Sequence, residues 1–134
     1  MIKIIEDFEI NTPSWVDILH LLNGESDNKE KFAEFSYGYF ISHSAYKIPL
    51  VKNILKKLNL NEAHLYVNIL NSKGLDFHRD DCDVWFWQIQ GGTSWEIEDG
   101  SKYYLKTGDL MFIPQNIGHK VTSLIPRAGV SMSR

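Results

Sequence analysis

His78-Arg79-Asp80-Asp81-Cys82-Asp83-Val84-Trp85-Phe86-Trp87-Gln88-Ile89-Gln90-Gly91-Gly92 opens with two metal-capable side chains and runs straight into an apolar strand. On an extended chain, residues two apart point to the same side, so His78 presents an imidazole beside the Asp80 carboxylate. Asp81 and Asp83 have the wrong parity for this; Asp76 has the right one and competes with Asp80. Asp83 to Gln90 reads as a strand in which Val84, Trp85, Phe86 and Trp87 are apolar on both faces, the pattern of a strand covered on both sides. A second imidazole comes from the end of Gly108-Asp109-Leu110-Met111-Phe112-Ile113-Pro114-Gln115-Asn116-Ile117-Gly118-His119. There a Gly-Asp turn, an apolar strand, Pro114 and a small loop, in which Asn116 can adopt positive φ, deliver His119 to the start of the next strand. Two imidazoles and one carboxylate on one face of an ion leave coordination positions open, the usual ligand set of non-haem Fe(II) oxygenases.

Outward from this stretch the chain is strand-rich. His64 to Leu70 is predicted as a strand, with His64, Tyr66 and Asn68 on one face and Leu65, Val67 and Ile69 on the other. Gly91-Gly92 is expected to end the strand after Gln90, with Thr93 to Ile97 as a separate one. Asp99-Gly100 is a hairpin signal. Tyr103 to Leu105, Leu110 to Ile113, Lys120 to Leu124 and Gly129 to Ser133 complete the set. Many short strands joined by Gly-rich turns predict a sandwich or small barrel. The sequence before Glu62 is of mixed character. Ser14 caps a helix carrying Trp15, Ile18, Leu19 and Leu22, with Asn23-Gly24 as its stop. A second helix runs from about Pro49 to Asn59, with Leu50, Ile54, Leu55 and Leu58 inward and Lys52, Lys56 and Lys57 outward. Phe35 to Ile41 leans to strand. The expected organisation is one domain, a helical and mixed flank over 1–61 and a metal-binding β-barrel core over 62–134.

The 134 residues, 43% of them hydrophobic, suffice for one real core. A net charge of −3 with interspersed signs gives no basic stripe for duplex nucleic acid. One cysteine, Cys82, excludes an intrachain disulfide framework and a cysteine-based zinc site. No apolar run approaches a membrane span, and Met1-Ile2-Lys3-Ile4-Ile5-Glu6-Asp7 turns acidic without a signal-peptide pattern. A soluble cytoplasmic protein is expected, a monomer or small homo-oligomer without membrane or nucleic-acid partners. Trp85, Trp87 and Trp95 are expected in the core, Cys82 as a spectator thiol, and His20 and His43 as structural or surface residues.

The stretch from Ala63 to Ser133 resembles the cupin-like JmjC hydroxylases among the Fe(II)- and 2-oxoglutarate-dependent oxygenases. The pieces that carry the resemblance are Leu65-Tyr66, the approach from Gly74 to His78, and His78-Arg79-Asp80. With them go the apolar strand ending Gln88-Ile89-Gln90-Gly91, Trp95, Leu105 to Pro114, His119, and Ser131-Met132-Ser133. It implies a double-stranded β-helix with His78, Asp80 and His119 as the Fe(II) ligands, which selects Asp80 over Asp76. It implies 2-oxoglutarate as cosubstrate; the sequence does not select among a protein side chain, a small metabolite and a nucleotide as substrate.

One position departs from the pattern. Relatives of this type often carry a Lys or Arg, fifteen residues after the first iron-binding His, that pairs with the distal carboxylate of 2-oxoglutarate; here Thr93 stands there. A hydroxyl gives one hydrogen bond, without the charge-assisted pairing of a guanidinium. Other branches take the anchoring Arg from the final strand, which offers Arg127 and Arg134. Arg127 lies between Pro126 and Gly129, a context that favours an exposed turn, and Arg134 is the last residue. Lys73, Lys102 and Lys120 are weaker candidates. Thr93, Tyr66 and Asn68 are expected to add hydrogen bonds to the cosubstrate. The alternative is a metal-binding cupin that does not use 2-oxoglutarate, either another enzyme or a non-catalytic binding module.

Overall fold

The computed structural model describes residues 1–70 and 75–134, the side chain of Ile125 excepted. Antiparallel pairing accounts for the whole sheet. β1 (Lys3–Ile5), β2 (Phe32–Ser36), β3 (Tyr39–Ser42), β4 (Glu62–Asn68), β5 (Val84–Ile97), β6 (Lys102–Leu105), β7 (Leu110–Ile113) and β8 (His119–Ser133) run in the order β1-β7-β5-β8-β4-β3-β2, with β6 on β5. The segment before Glu62 therefore does more than flank the barrel, because it gives three strands to the same sheet. Phe35 to Ile41 is not one strand. Tyr37-Gly38, with Gly38 at φ +78°, folds it into the β2–β3 hairpin.

Two strands are much longer than the sequence suggests. Thr93 to Ile97 continues β5, and the two predicted strands Lys120 to Leu124 and Gly129 to Ser133 are halves of β8. The first half of β5 pairs with β7 and with the end of β8; its second half pairs with β6 and the start of β8. Gly91-Gly92 bends the strand where a stop was expected. Register shifts fall on either side of Gln90, and Gly91 takes φ +67°. A Cβ on Gly91 would lie 2.3 Å from the Pro126 carbonyl oxygen, so the two long strands touch backbone to backbone where they turn. This shared bend rolls the sheet into a barrel with an open mouth.

The helices close the outer face. α1 (Trp15–Glu25) starts with a reciprocal capping box, Asp17 N–H to the Ser14 hydroxyl and Ser14 N–H to the Asp17 carboxylate, an arrangement worth about 1 kcal/mol. It overruns the expected stop at Asn23-Gly24 because Glu25 is buried against Lys47. α2 (Pro49–Leu58) has Pro49 in its first turn and ends on Asn59 in the left-handed conformation. Ile18, Leu22, Val51, Ile54 and Leu55 pack on Leu65, Val67, Trp87, Ile89, Val130 and Met132. The opposite face of the sheet turns Phe86, Trp95, Ile97, Leu105, Met111 and Ile113 into the barrel. β5 is thus covered on both sides, as its doubly apolar sequence requires. The tryptophans are core residues: Trp87 and Trp95 are buried and Trp85 is half-buried.

Candidate metal centre

His78, Asp80 and His119 converge, and their ligand atoms all lie within 4.8 Å of one another. The convergence does not come from a strand. The segment carrying His78 and Asp80 is irregular and is pinned by one antiparallel bridge, His78 N–H to His119 C=O at 3.1 Å and His119 N–H to His78 C=O at 3.0 Å. Asn116, in the left-handed region at φ +63°, donates its N–H to the Asp80 carbonyl at 2.8 Å. Arg79 points away and clamps the other side. Its guanidinium bonds Glu98 at 2.5 and 3.0 Å and the Asn116 carbonyl at 2.7 Å, while Glu98 accepts from Gly118 N–H at 3.1 Å. The loop bearing the first two ligands is thereby tied to the turn that delivers the third.

The protonation pattern suits a metal. His78 Nδ1 lies 2.9 Å from the Asp76 carbonyl and His119 Nδ1 lies 2.8 Å from the Ile117 carbonyl. A carbonyl only accepts, so both protons sit on Nδ1 and both Nε2 lone pairs face the site. Nε2 of His78 is 3.8 Å, and Nε2 of His119 is 3.4 Å, from the Asp80 carboxylate. Burial, aided by His78, holds the His119 imidazole below its ordinary pKa against the opposing effects of the Ile117 carbonyl and Asp80, which keeps it neutral as a ligand must be. Asp76, the rival carboxylate, contributes its backbone carbonyl here, and the cluster is completed by Asp80. The Trp95 ring lies beside the His119 ring, 5.7 Å between centroids and tilted by 37°.

The triad opens into a pocket of about 340 Å³ whose walls include Tyr39, His64, Tyr66, Cys82, Phe86, Ser123, Arg127 and Ser131. Arg127 is not in an exposed turn. It lies within β8, is 3% exposed, and faces the pocket. Its Nε–H is shared between Asn68 Oδ1 at 2.8 Å and Ser123 Oγ at 3.0 Å, and Ser123 donates to the same Asn68 oxygen at 2.8 Å. The Tyr39 ring lies 5.6 Å from its guanidinium carbon. Among the described residues no carboxylate forms an ion pair with Arg127. Burial alone pushes the guanidinium below its ordinary value, opposed by Tyr39 and Tyr66, yet an arginine remains charged. Tyr66 also faces the pocket, and burial, with Tyr39 and Asp80, pushes its phenol up to about 12, so it stays a hydrogen-bond donor.

The other predicted cosubstrate contacts divide. Asn68 does not line the pocket and acts through Arg127. Thr93 is fully buried in a closed polar chain: Trp95 Nε1–H donates to its hydroxyl at 2.8 Å, and the hydroxyl donates to Gln88 Oε1 at 2.7 Å. Thr93 is therefore occupied as a structural link and does not line the pocket. Arg134 is exposed, donates to the Asn59 carbonyl at 3.1 Å, and sits over Trp85, away from the pocket. Lys102 and Lys120 do not line the pocket either. Lys73 and Gly74 lie outside the described residues. Sequence reasoning missed Tyr39 and Ser123 as pocket residues; neither sits in a recognisable motif, and only pairing across strands brings them there.

No protein-family model and no curated protein matches the sequence. Solved structures do match in shape. The ribosomal oxygenase YcfD from Escherichia coli, in complex with cobalt and 2-oxoglutarate, superposes with a TM-score of 0.80 at 12% identity over 98% of this chain and 47% of that one. The same enzyme with cobalt and succinic acid gives 0.75 at 14% identity over 99% and 48%. KdgF from Halomonas sp. gives 0.52 at 19% identity over 80% and 92%. The chain thus spans about half the length of the oxygenase structures it matches. Among the described residues no helix is long and apolar enough to cross a membrane. What the barrel, its shared bend and these superpositions establish together is the double-stranded β-helix fold of the cupins, with two histidines and one aspartate gathered at metal-ligand distances in its mouth.

Proposed function

We propose that the protein is an Fe(II)- and 2-oxoglutarate-dependent dioxygenase that hydroxylates its substrate, with Arg127 as the anchor for the far carboxylate of 2-oxoglutarate. The observation that carries the reading is the buried Arg127 without a carboxylate partner among the described residues, facing the pocket that His78, Asp80 and His119 also line. A buried charge kept without a counter-ion costs several kcal/mol, which an anionic ligand would offset. Its position supports the same reading. Ser123 lies opposite Thr93 in the β5–β8 ladder and accepts from Arg127, so Arg127 reaches the corner of the barrel in which position 93 lies. The cation missing from β5 is replaced by one from β8.

The residues present fit the metal and the cosubstrate. His78, Asp80 and His119 would hold Fe(II) and leave positions for the cosubstrate and dioxygen. Iron with 2-oxoglutarate supplies the oxidising power for hydroxylation. This chain supplies the rest. Asp76 and Ile117 carbonyls hold both imidazoles in the liganding tautomer, and Arg127 and the Tyr66 hydroxyl orient the dicarboxylate. Phe86, Trp95, Val84 and Ile113 exclude water from one wall. The likeness to an oxygenase solved with 2-oxoglutarate supports this assignment over a cupin that uses no cosubstrate.

The test is turnover and binding together. Iron-loaded protein should bind 2-oxoglutarate with one site per chain and convert it slowly to succinate even without substrate. Metal binding with no 2-oxoglutarate affinity would instead favour the cupin that uses none.

A further inference from the structure

His43 and His64 form a feature that the proposed chemistry does not use. His43 follows the last residue of β3, and Ser42 pairs with Leu65 in the β3–β4 ladder, which sets His43 against His64 across the strands. The rings meet edge to face, 4.8 Å between centroids and 85° between planes, and their Nδ1 atoms are 2.7 Å apart. His43 is exposed and His64 is half-buried in the wall of the main pocket. Its backbone N–H to the Lys31 carbonyl, at 2.6 Å, holds His43 in place.

We infer that His43 and His64 are a second metal site, a cross-strand bis-histidine chelate for Cu(II) or Ni(II) at the edge of the pocket. Two nitrogens bound to one ion at about 2.05 Å are about 2.9 Å apart at a right angle and about 3.35 Å apart at the tetrahedral angle. The observed 2.7 Å is a few tenths of an ångström from the first value and considerably further from the second. The pair therefore fits the cis positions of a tetragonal ion better than tetrahedral zinc. In the metal-free pair one Nδ1 carries a proton and the other accepts it. When the ion enters, that proton moves to the Nε2 of its own ring, so two neutral imidazoles remain and no net proton is lost. Glu62, on the same face of β4 and close enough to act on His64, favours a cation there; Lys31 opposes it. Water would fill the remaining coordination positions, since the ligand atoms of His43, His64 and Glu62 do not come together as those of His78, Asp80 and His119 do.

The site does not depend on the proposed reaction, and its test involves no 2-oxoglutarate. Cu(II) and Ni(II) titrations of the parent should find two ions per chain. His64→Gln should reduce that to one. A His78→Ala/His119→Ala protein, stripped of the triad, should keep one ion, and adding His43→Ala should weaken it on the order of a hundredfold, the loss expected when two linked contacts become one. The Cu(II) spectrum of the triad-stripped protein should show two equatorial nitrogens. Should that protein fold poorly, the parent and His64→Gln comparison decides alone. One ion in the parent, unchanged by His64→Gln, overturns the site, as does equal Cu(II) affinity with and without His43.

Discussion

Replacing Arg127 by Met separates binding from stability, because the two should move in opposite directions. The side chain is 3% exposed, and Asn68 and Ser123, which accept from its Nε–H, are neutral. Those two already bond each other at 2.8 Å, so losing the guanidinium leaves neither without a partner. Methionine fills much of the same volume without a charge. Substituting apolar groups for buried ionic ones is often neutral or stabilising by about 1–4 kcal/mol. The melting temperature of the metal-free variant should therefore hold or rise. The opposite is expected for the dicarboxylate. A charge-assisted hydrogen bond contributes about 1.5–3 kcal/mol, which is a factor of roughly 10 to 150 in affinity. Calorimetric titration of 2-oxoglutarate into the Mn(II)-loaded parent and variant, with Mn(II) affinity as the control, reads both. Arg127→Lys should recover only part of the loss, since an ammonium cannot reproduce the guanidinium fork. Equal 2-oxoglutarate affinity in parent and Arg127→Met would refute the anchor, and a large fall in melting temperature would refute the claim that Arg127 is kept for a ligand.

Four further outcomes follow from the same geometry. His119→Ala and Asp80→Ala should abolish stoichiometric Mn(II) or Co(II) binding while Asp81→Ala leaves it nearly intact, as measured by equilibrium dialysis; the reverse order would mean the wrong carboxylate has been assigned. Glu98→Ala removes the brace between the His78 and His119 loops and should weaken metal about 10–100-fold, the usual effect of losing a supporting contact, with little change in secondary structure by circular dichroism. Gly91→Ala combines a φ of +67° with a backbone atom 2.3 Å from the new Cβ and should cost more than about 2 kcal/mol in urea unfolding, whereas Gly100→Ala, at φ +89° with nothing within 4 Å, should cost only about 1. His64, lowered by burial and by His43, binds its proton less readily in the folded state than in the unfolded one. Its contribution is therefore present above the ordinary histidine pKa of about 6.5 and lost as pH falls below it; metal-free parent should lose stability between pH 7.5 and 5.5, and His64→Gln should lose less.

Local chemistry alone determined a good deal of this protein. The capping box at Ser14, Pro49 and the lysine face of α2, the Asp99-Gly100 hairpin, and the doubly apolar run of β5 each follow from neighbours a few residues apart, which is the range over which sequence patterns act. The two imidazoles were legible as well, because a metal site needs particular side chains whatever the backbone does; spacing alone left Asp76 and Asp80 both open, and the family resemblance selected Asp80. The tertiary structure decided what depends on residues far apart in sequence. Gly91 bends β5 without ending it because Pro126 of β8 lies against its backbone. Arg127, flanked by turn-forming residues, is drawn into the barrel because β8 runs through it unbroken and pairs Arg127 with Asn68. Thr93 looked like a ligand contact by its distance from His78, yet Gln88 and Trp95 hold its hydroxyl in the core. A count along the chain gives position but not the partners across the sheet, and in a rolled antiparallel sheet those partners decide which side chains face a ligand.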